Sequence, residues 1–168
     1  MSGTVHTISV CLWFNDQAEE AVAFYVSIFR NSRVGSVSRY DAEGARVSGR
    51  PSGSVMTVEF ELLGQPFTAL NGGPLFNFSE AISLQIMCDT QKEVDYYWEK
   101  LSAGGDPAAR VCGWLKDKYG LSWQVIPKPS LKLMGDPKSK KSQRAFSAML
   151  QMKKLDLAAL KRAYEAKA

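Results

Sequence analysis

Few side chains in this sequence have the types and spacing needed for acid–base or nucleophilic chemistry. His6 is the only histidine, so any Ser-His-Asp or Cys-His arrangement would depend on it. Glu59 and Glu61 are two positions apart, which places both carboxylates on one face of a strand, where they could form an acid–base pair. Such a pair on an alternating strand is more often solvated. We therefore favour a structural interpretation of all three residues over a catalytic one.

The cysteines offer no clear site either. Cys11, Cys88 and Cys112 are an odd set without CxxC spacing, which favours reduced, packed thiols over a disulfide framework or a zinc site. The sequence has no run of about 18 apolar residues and no basic segment followed by an apolar one at its start. We expect a cytoplasmic protein without a membrane-spanning segment.

The charge is divided unevenly along the chain. Residues 1–127 contain 10 Lys and Arg against 14 Asp and Glu, a net charge of −4, and residues 128–168 contain 11 against 3, a net charge of +8. A basic segment can bind nucleic acid or anionic lipid. This one also has apolar residues at helical spacing, typical of a packing face: Phe146, Met149, Leu150, Leu157, Leu160 and Tyr164. We expect a helical tail that covers apolar surface of the same chain or of a second subunit, with nucleic-acid binding disfavoured.

The elements that must position the candidate residues occur twice. In the first half, apolar and alternating segments predict strands at 7–14, 32–40, 55–63 and 67–70, a helix at 17–29, and a Gly/Ser/Arg-rich loop from 41 to 52. In the second half they predict strands at 82–88 and 122–126, a short strand ending at Trp114-Leu115, and a helix at 91–102. The apolar stripe Val94, Tyr97, Trp98, Leu101 repeats the spacing of Ala21, Phe24, Tyr25, Ile28 at an offset of 73 residues. This repeat predicts an α+β fold of two tandem βαβββ modules, at 4–73 and 80–127 of one domain 1–127, followed by the tail 128–168.

Three segments of the chain resemble PhnB-like proteins, the demethylubiquinone-methyltransferase-like branch of the vicinal oxygen chelate (glyoxalase/bleomycin-resistance) superfamily. They are residues 14–25, at the first strand-to-helix junction, residues 112–127, the closing hairpin, and residues 149–156 of the tail. The resemblance implies two βαβββ modules whose curled sheets form a cup, usually in a homodimer. Many members are labelled as methyltransferases, but the common cofactor-binding type needs a Gly-rich turn between a parallel strand and a helix. The pair Gly72-Gly73 precedes Pro74 and no predicted helix, so we expect no such cofactor.

The resemblance also implies where a metal would be bound. Metal-dependent members of the superfamily carry a His, Glu or Gln ligand on the first and last strand of each module. The repeat offset and the turn glycines Gly64 and Gly120 locate these positions at Val10, Thr68, Ser83 and Gln124. None is an imidazole or a carboxylate, so a divalent ion would bind weakly. We expect a protein without metal or other cofactor; the alternative is a metal-dependent lyase, isomerase or dioxygenase whose site lies elsewhere.

The same strands predict a pocket for a small molecule. A concavity that is largely apolar with a few polar groups is the common form of such a site. Strand alternation turns these residues toward it, with Trp114 able to close over an aromatic ligand: Val10, Leu12, Thr68, Leu70, Ser83, Gln85, Met87 and Gln124. The alternative is a filled sheet whose polar groups satisfy one another. We expect a homodimer that binds a planar or amphipathic compound or acts on one.

Overall fold

The computed structural model describes residues 8–166, so His6 lies outside the described residues. The chain divides into two compact units, with the boundary between Asn77 and Phe78. The predicted α+β fold of two βαβββ-type modules followed by helices is confirmed. Module two and the tail share the second unit.

The first unit is a four-stranded sheet with one long helix. Its elements are β1 (Val10–Phe14), α1 (Ala18–Ile28), β2 (Arg33–Arg39), α2 (Ala42–Ser48), β3 (Val55–Leu62) and β4 (Gln65–Asn71). The strand order is β1-β4-β3-β2, with β1 parallel to β4 and the other pairs antiparallel. The rings of Tyr25 and Phe60 stack with centroids 6.3 Å apart, and those of Phe60 and Phe67 with centroids 5.1 Å apart. Helix α1 therefore covers the sheet face that carries Phe60 and Phe67.

Helix α1 receives its N-terminal cap from a distant strand. Gln17, at the cap position, makes no capping hydrogen bond with its side chain. Instead, the Oδ1 atom of Asn71 accepts from the backbone amide of Ala18 at 2.8 Å, and its Nδ2 atom donates to Glu19 and to the Val55 carbonyl. This buried amide satisfies one of the amides that a helix start leaves open.

Helix α2 occupies part of the segment predicted as a loop, so that prediction is wrong. Asp41 caps its start by accepting from Gly44, and Gly49 ends it in the left-handed conformation with φ 72°. Arg46 and Glu43 pair across one turn. No residue of α2 is buried, so the helix depends on its caps and surface charges, whereas the sequence prediction relied on apolar periodicity.

The second unit contains a smaller sheet. It comprises β5 (Leu84–Cys88), α3 (Gln91–Ser102), a 3-10 helix (Pro107–Ala109), β6 (Trp114–Lys116) and β7 (Ser122–Pro127). The order is β5-β7-β6, with β5 parallel and β6 antiparallel to β7. The second strand of the first module has no counterpart in this sheet. A Cβ atom on Gly105 would stand 2.0 Å from the Lys116 carbonyl oxygen, so glycine allows this connection to pass close against β6.

The tail forms three helices, α4 (Lys128–Met134), α5 (Lys140–Met149) and α6 (Leu157–Glu165), within the second unit. Gln91 of α3 donates to the Leu155 carbonyl and accepts from the Leu157 amide. Leu155 and Leu160 are buried, whereas Phe146 and Leu150 are each 48% exposed. The tail therefore covers its own module while part of its predicted apolar stripe stays open. Among residues 8–166, no helix is both long and apolar enough to cross a membrane.

Candidate small-molecule site

The open face of each sheet is the face opposite α1 or α3. In the first sheet β1 pairs Val10 with Phe67, Cys11 with Thr68 and Leu12 with Ala69. Directly paired residues share a face, so Val10 and Leu12 lie on the side covered by α1, and Leu12 is buried. The predicted grouping of Val10 and Leu12 with Thr68 and Leu70 is therefore wrong; Cys11 and Trp13 share the open face with that pair.

The error comes from one residue in a connection. Three residues separate Phe14 from Ala18, but only two separate Cys88 from Gln91. The helices therefore repeat at an offset of 73, whereas the strand ends Phe14 and Cys88 repeat at 74. Because side chains alternate along a strand, a shift of one residue changes the face.

The corrected first- and last-strand positions are Cys11, Thr68, Gln85 and Gln124. Cys11 pairs with Thr68, and Gln85 pairs with Gln124. Partial desolvation raises the pKa of the Cys11 thiol although the side chain remains accessible, which disfavours the thiolate that binds metals. Within the described chain, no three His, Cys, Asp or Glu side chains are grouped so as to hold a metal ion. A resident divalent metal does not fit these neutral donors.

A hydrogen-bonded chain of polar side chains crosses the open face of the second sheet. The Nε2 atom of Gln85 donates to Oε1 of Gln124 at 3.2 Å, and Nε2 of Gln124 donates to Oγ of Ser83 at 2.7 Å. Gln85 is exposed, and the other two are half-buried. This polar relay (Ser83, Gln124, Gln85) holds the central amide from both sides, and Met87 lies beside it, 48% exposed.

A cavity of about 410 Å³ lies at the neighbouring strand β6, and none of the three relay residues lines it. Trp114 of β6 stands directly opposite Gln124 in the strand pairing, and Lys116 stands opposite Ser122. Ser122 is 1% exposed, and its Oγ has no hydrogen-bond partner among the residues described. The lining consists of Glu80, Ala108, Ala109, Val111, Trp114, Leu115, Lys116 and Ser122.

Sequence reasoning missed two charged residues of this cavity. Lys116 lies two residues after Trp114 along β6, so strand alternation places both on the open face. Glu80 precedes β5 in a turn, where periodicity carries no signal. Lys116 Nζ and Glu80 Oε1 lie 2.6 Å apart in the folded chain, and the sequence pattern does not predict this ion pair.

One buried carboxylate holds the hairpin that carries most of this site. Asp117 is 2% exposed. Its Oδ1 accepts from the backbone amides of Tyr119 and Leu121 at 2.9 and 3.1 Å, and its Oδ2 accepts from Nε1 of Trp123 at 2.8 Å. These bonds fix the turn between β6 and β7, and with it the spacing of Trp114 from Gln124.

The first sheet has its own groove of about 450 Å³. The charged side chains that line this groove are paired with other side chains. Arg33 pairs with Glu61 at 2.7 Å, and Oγ of Ser36 donates to Glu59 at 2.7 Å. The two carboxylates thus have separate partners. An acid–base pair would need them to interact with each other or with one substrate.

In each unit the first and last strands of the sheet are parallel and joined through a helix, and the opposite sheet face is open. The model of the 3-demethylubiquinone-9 3-methyltransferase family matches residues 6–126, and the chain belongs to this family of PhnB-like proteins. No curated protein matches the chain.

Two solved structures share this fold, and a third is less similar. A PhnB protein from Bacillus cereus, whose description carries the same family name, is 36% identical; the match covers 73% of this chain and 99% of that chain at a TM-score of 0.61. Protein PA1353 from Pseudomonas aeruginosa is 17% identical over 74% of this chain and 98% of that one, with a TM-score of 0.56. The fosfomycin resistance protein FosX from Listeria monocytogenes is 21% identical over 74% and 91%, with a TM-score of 0.47.

Proposed function

We propose that this protein binds a small organic molecule on the open face of its second sheet, without a resident metal or other cofactor. The observation that carries the proposal is the polar relay beside the 410 Å³ cavity. Cavities that hold small ligands measure roughly 300–1,000 Å³ and combine apolar walls with a few placed polar groups. Trp114, Val111 and the two alanines supply the walls here.

The relay is suited to recognition because its centre is fixed and its ends are open. Gln124 uses its carbonyl for Gln85 and its NH₂ group for Ser83. The Gln85 carbonyl and the Ser83 hydroxyl hydrogen retain capacity for a ligand. A polar group held before the ligand arrives loses less conformational entropy on binding.

Metal-dependent lyase, isomerase or dioxygenase activity, the alternative within the superfamily, receives less support. A thiol, a hydroxyl and two amides provide no negative charge to offset a divalent ion. We expect purified protein to contain far less than one equivalent of Zn, Ni, Fe or Mn, and chelators to leave its melting temperature unchanged. Stoichiometric metal bound by Gln85 or Gln124 would contradict the proposal.

The methyltransferase name of the family also receives little support from these residues. The connections from β1 to α1 and from β5 to α3 are Asn15-Asp16-Gln17 and Asp89-Thr90, while β7 runs directly into α4. Neither contains glycine, which common methyltransferases of the parallel-sheet type use to bring the cofactor close to the backbone. Binding, or catalysis on a bound compound without that cofactor, fits the site better.

We further propose that the protein is a homodimer. Several apolar side chains of the second unit are about half exposed, namely Val111, Leu131, Phe146 and Leu150, and patches of this kind favour a protein partner. Nucleic-acid binding through the tail is the weaker alternative, since Lys128 and Lys154 pair with Asp89 and Asp95 of the same unit.

A thermal-shift screen over cofactors, quinones and antibiotics tests the binding proposal, because a bound ligand raises the melting temperature. Gln124→Leu should abolish the shift of any true ligand. Gln151→Leu is the matched control, since Gln151 is exposed and lies in the tail. If no compound binds, or if both variants lose the shift equally, the relay is not the recognition element.

A further inference from the structure

The cavity beside the relay contains one embedded cation. Lys116 lies on β6 between Trp114 and Asp117, and its side chain is only 24% exposed, whereas that of its partner Glu80 is 64% exposed. The hydrogen bond from Lys116 holds the pKa of the Glu80 carboxyl below its ordinary value. The more deeply placed member of the pair is therefore the cation, and its counter-charge comes from a surface turn.

A second donor in the same cavity lacks an acceptor. Ser122 faces Lys116 across the hairpin, and the Ser122 hydroxyl is buried with no partner in the described part of the chain. A buried hydroxyl that makes no hydrogen bond is unfavourable, and a ligand acceptor would relieve that cost. The hydroxyl and the ammonium belong to directly opposed residues of two adjacent strands. Each can therefore donate a hydrogen bond to a different oxygen of one anion.

The remaining lining is apolar and includes a large ring. Trp114 is half-buried, on the same face as Lys116, and Ala108, Ala109 and Val111 complete the wall. An indole face favours stacking of a flat aromatic group.

We propose that this cavity takes a small planar aromatic carboxylic acid, and that Glu80 occupies the place of its carboxylate when the acid is absent. The ligand carboxylate pairs with Lys116 and accepts a hydrogen bond from Ser122, while its ring lies against Trp114. Glu80 then acts as a tethered competitor that the ligand displaces into solvent. This inference rests on the proposed small-molecule function and names its ligand class.

A cationic ligand held by Glu80 fits the same cavity less well. It would draw the exposed carboxylate away and leave the partly buried Lys116 ammonium without a counter-charge. It would also leave the Ser122 hydroxyl without an acceptor.

The test uses 2-naphthoate and its neutral analogue 2-naphthamide, titrated calorimetrically into the full-length protein. Glu80→Gln should tighten naphthoate binding roughly two- to five-fold, the range expected when an exposed ion pair no longer competes. Lys116→Met should weaken it by about ten-fold or more, as expected for a lost hydrogen bond to a charged group. Glu43→Gln is the matched control, since Glu43 is also exposed and paired, in its case with Arg46; it should change nothing.

If Lys116→Met fails to fold, Lys116→Arg provides the second comparison. The arginine keeps the positive charge, so this variant should still bind naphthoate. Naphthamide should bind at least ten-fold more weakly than naphthoate to the wild type and should not respond to Glu80→Gln. The inference is overturned if Glu80→Gln weakens naphthoate binding or leaves it unchanged, if the amide binds as tightly as the acid, or if neither binds at millimolar concentration. A neutral ligand that depends on Gln124 but not on Glu80 would overturn the carboxylate inference and leave the proposed function standing.

Discussion

Replacing Asp117 by asparagine tests whether one carboxylate fixes the closing hairpin. Its two oxygens accept hydrogen bonds from the Tyr119 and Leu121 amides and the Trp123 indole, among other contacts, in a site that is 2% exposed. An amide of the same size has one oxygen and one donor group, so at least one of the three donors would face another donor. Hydrogen bonds to a charged group contribute about 1.5–3 kcal/mol, and a stranded buried donor costs about 1–3 kcal/mol. We expect Asp117→Asn to lower the free energy of unfolding by about 2–4 kcal/mol.

A double-mutant cycle with Trp123→Phe isolates the bond to the indole. The single change removes one donor, and the pair should show a coupling of about 0.5–3 kcal/mol. Urea unfolding followed by circular dichroism is the suitable assay, because the second variant alters fluorescence. Asp106→Asn is a control, since Asp106 is exposed and accepts from the Ala108 amide at its helix start; a change of less than about 0.5 kcal/mol is expected there, because asparagine caps a helix about as well as aspartate. If Asp117→Asn stays within about 0.5 kcal/mol of wild type, or if the two residues do not couple, the hairpin is held by other contacts.

Three further predictions concern stability, thiol chemistry and the tail. In urea titration, Asn71→Ala should lower the free energy of unfolding by about 1–3 kcal/mol. Gln17→Ala, at the cap position itself, should change it by less than about 0.5 kcal/mol. The opposite ranking would refute the assignment of the α1 cap to Asn71. Burial, with the Glu93 and Asp89 carboxylates, raises the pKa of Cys88 to about 12. At pH 8 only about one such thiol in 10⁴ is ionised, so mass spectrometry should find Cys88 alkylated by iodoacetamide only after unfolding, and rapid native labelling would contradict its burial. Removing residues 128–168 should lower the melting temperature and the solubility, and should weaken dimerisation in sedimentation analysis. If the truncated protein is a stable dimer and the full chain binds nucleic acid with a steep salt dependence, the tail does not serve to cover apolar surface.

The parts of the fold that were predictable are those governed by local rules. Helix α3 spans Gln91–Ser102 as predicted, because Thr90 and Glu93 form a capping box at its start and its apolar stripe is regular. Alternation along β5 and β7 also predicted that Ser83, Gln85 and Gln124 share a face, and the structure joins all three by hydrogen bonds.

The parts that were not predictable depend on contacts between distant residues. The sequence around Gly105 shows two adjacent glycines but not that the backbone must pass beside Lys116, where the second module has no counterpart of β2. Glu80 belongs to no periodic segment, so only the folded chain reveals its pairing with Lys116. The apolar stripe of the tail predicted packing, but not that Ala145 would be buried while Phe146 remained half exposed.

The unequal strand-to-helix connections have a consequence for how a duplicated module diverges. One extra residue between β1 and α1 leaves the buried face of the strand in place, because Leu12 and Phe14 pack inside the first copy as Ile86 and Cys88 do in the second. The connection absorbs the insertion, since a strand shifted by one residue would turn its apolar side chains to solvent. Cys11 stands where the second copy has Gln85, and both lie on the open face of their sheets. An alignment of the two halves that is anchored on their helices therefore pairs strand residues from opposite faces, and only an alignment anchored on the strands compares the two open faces.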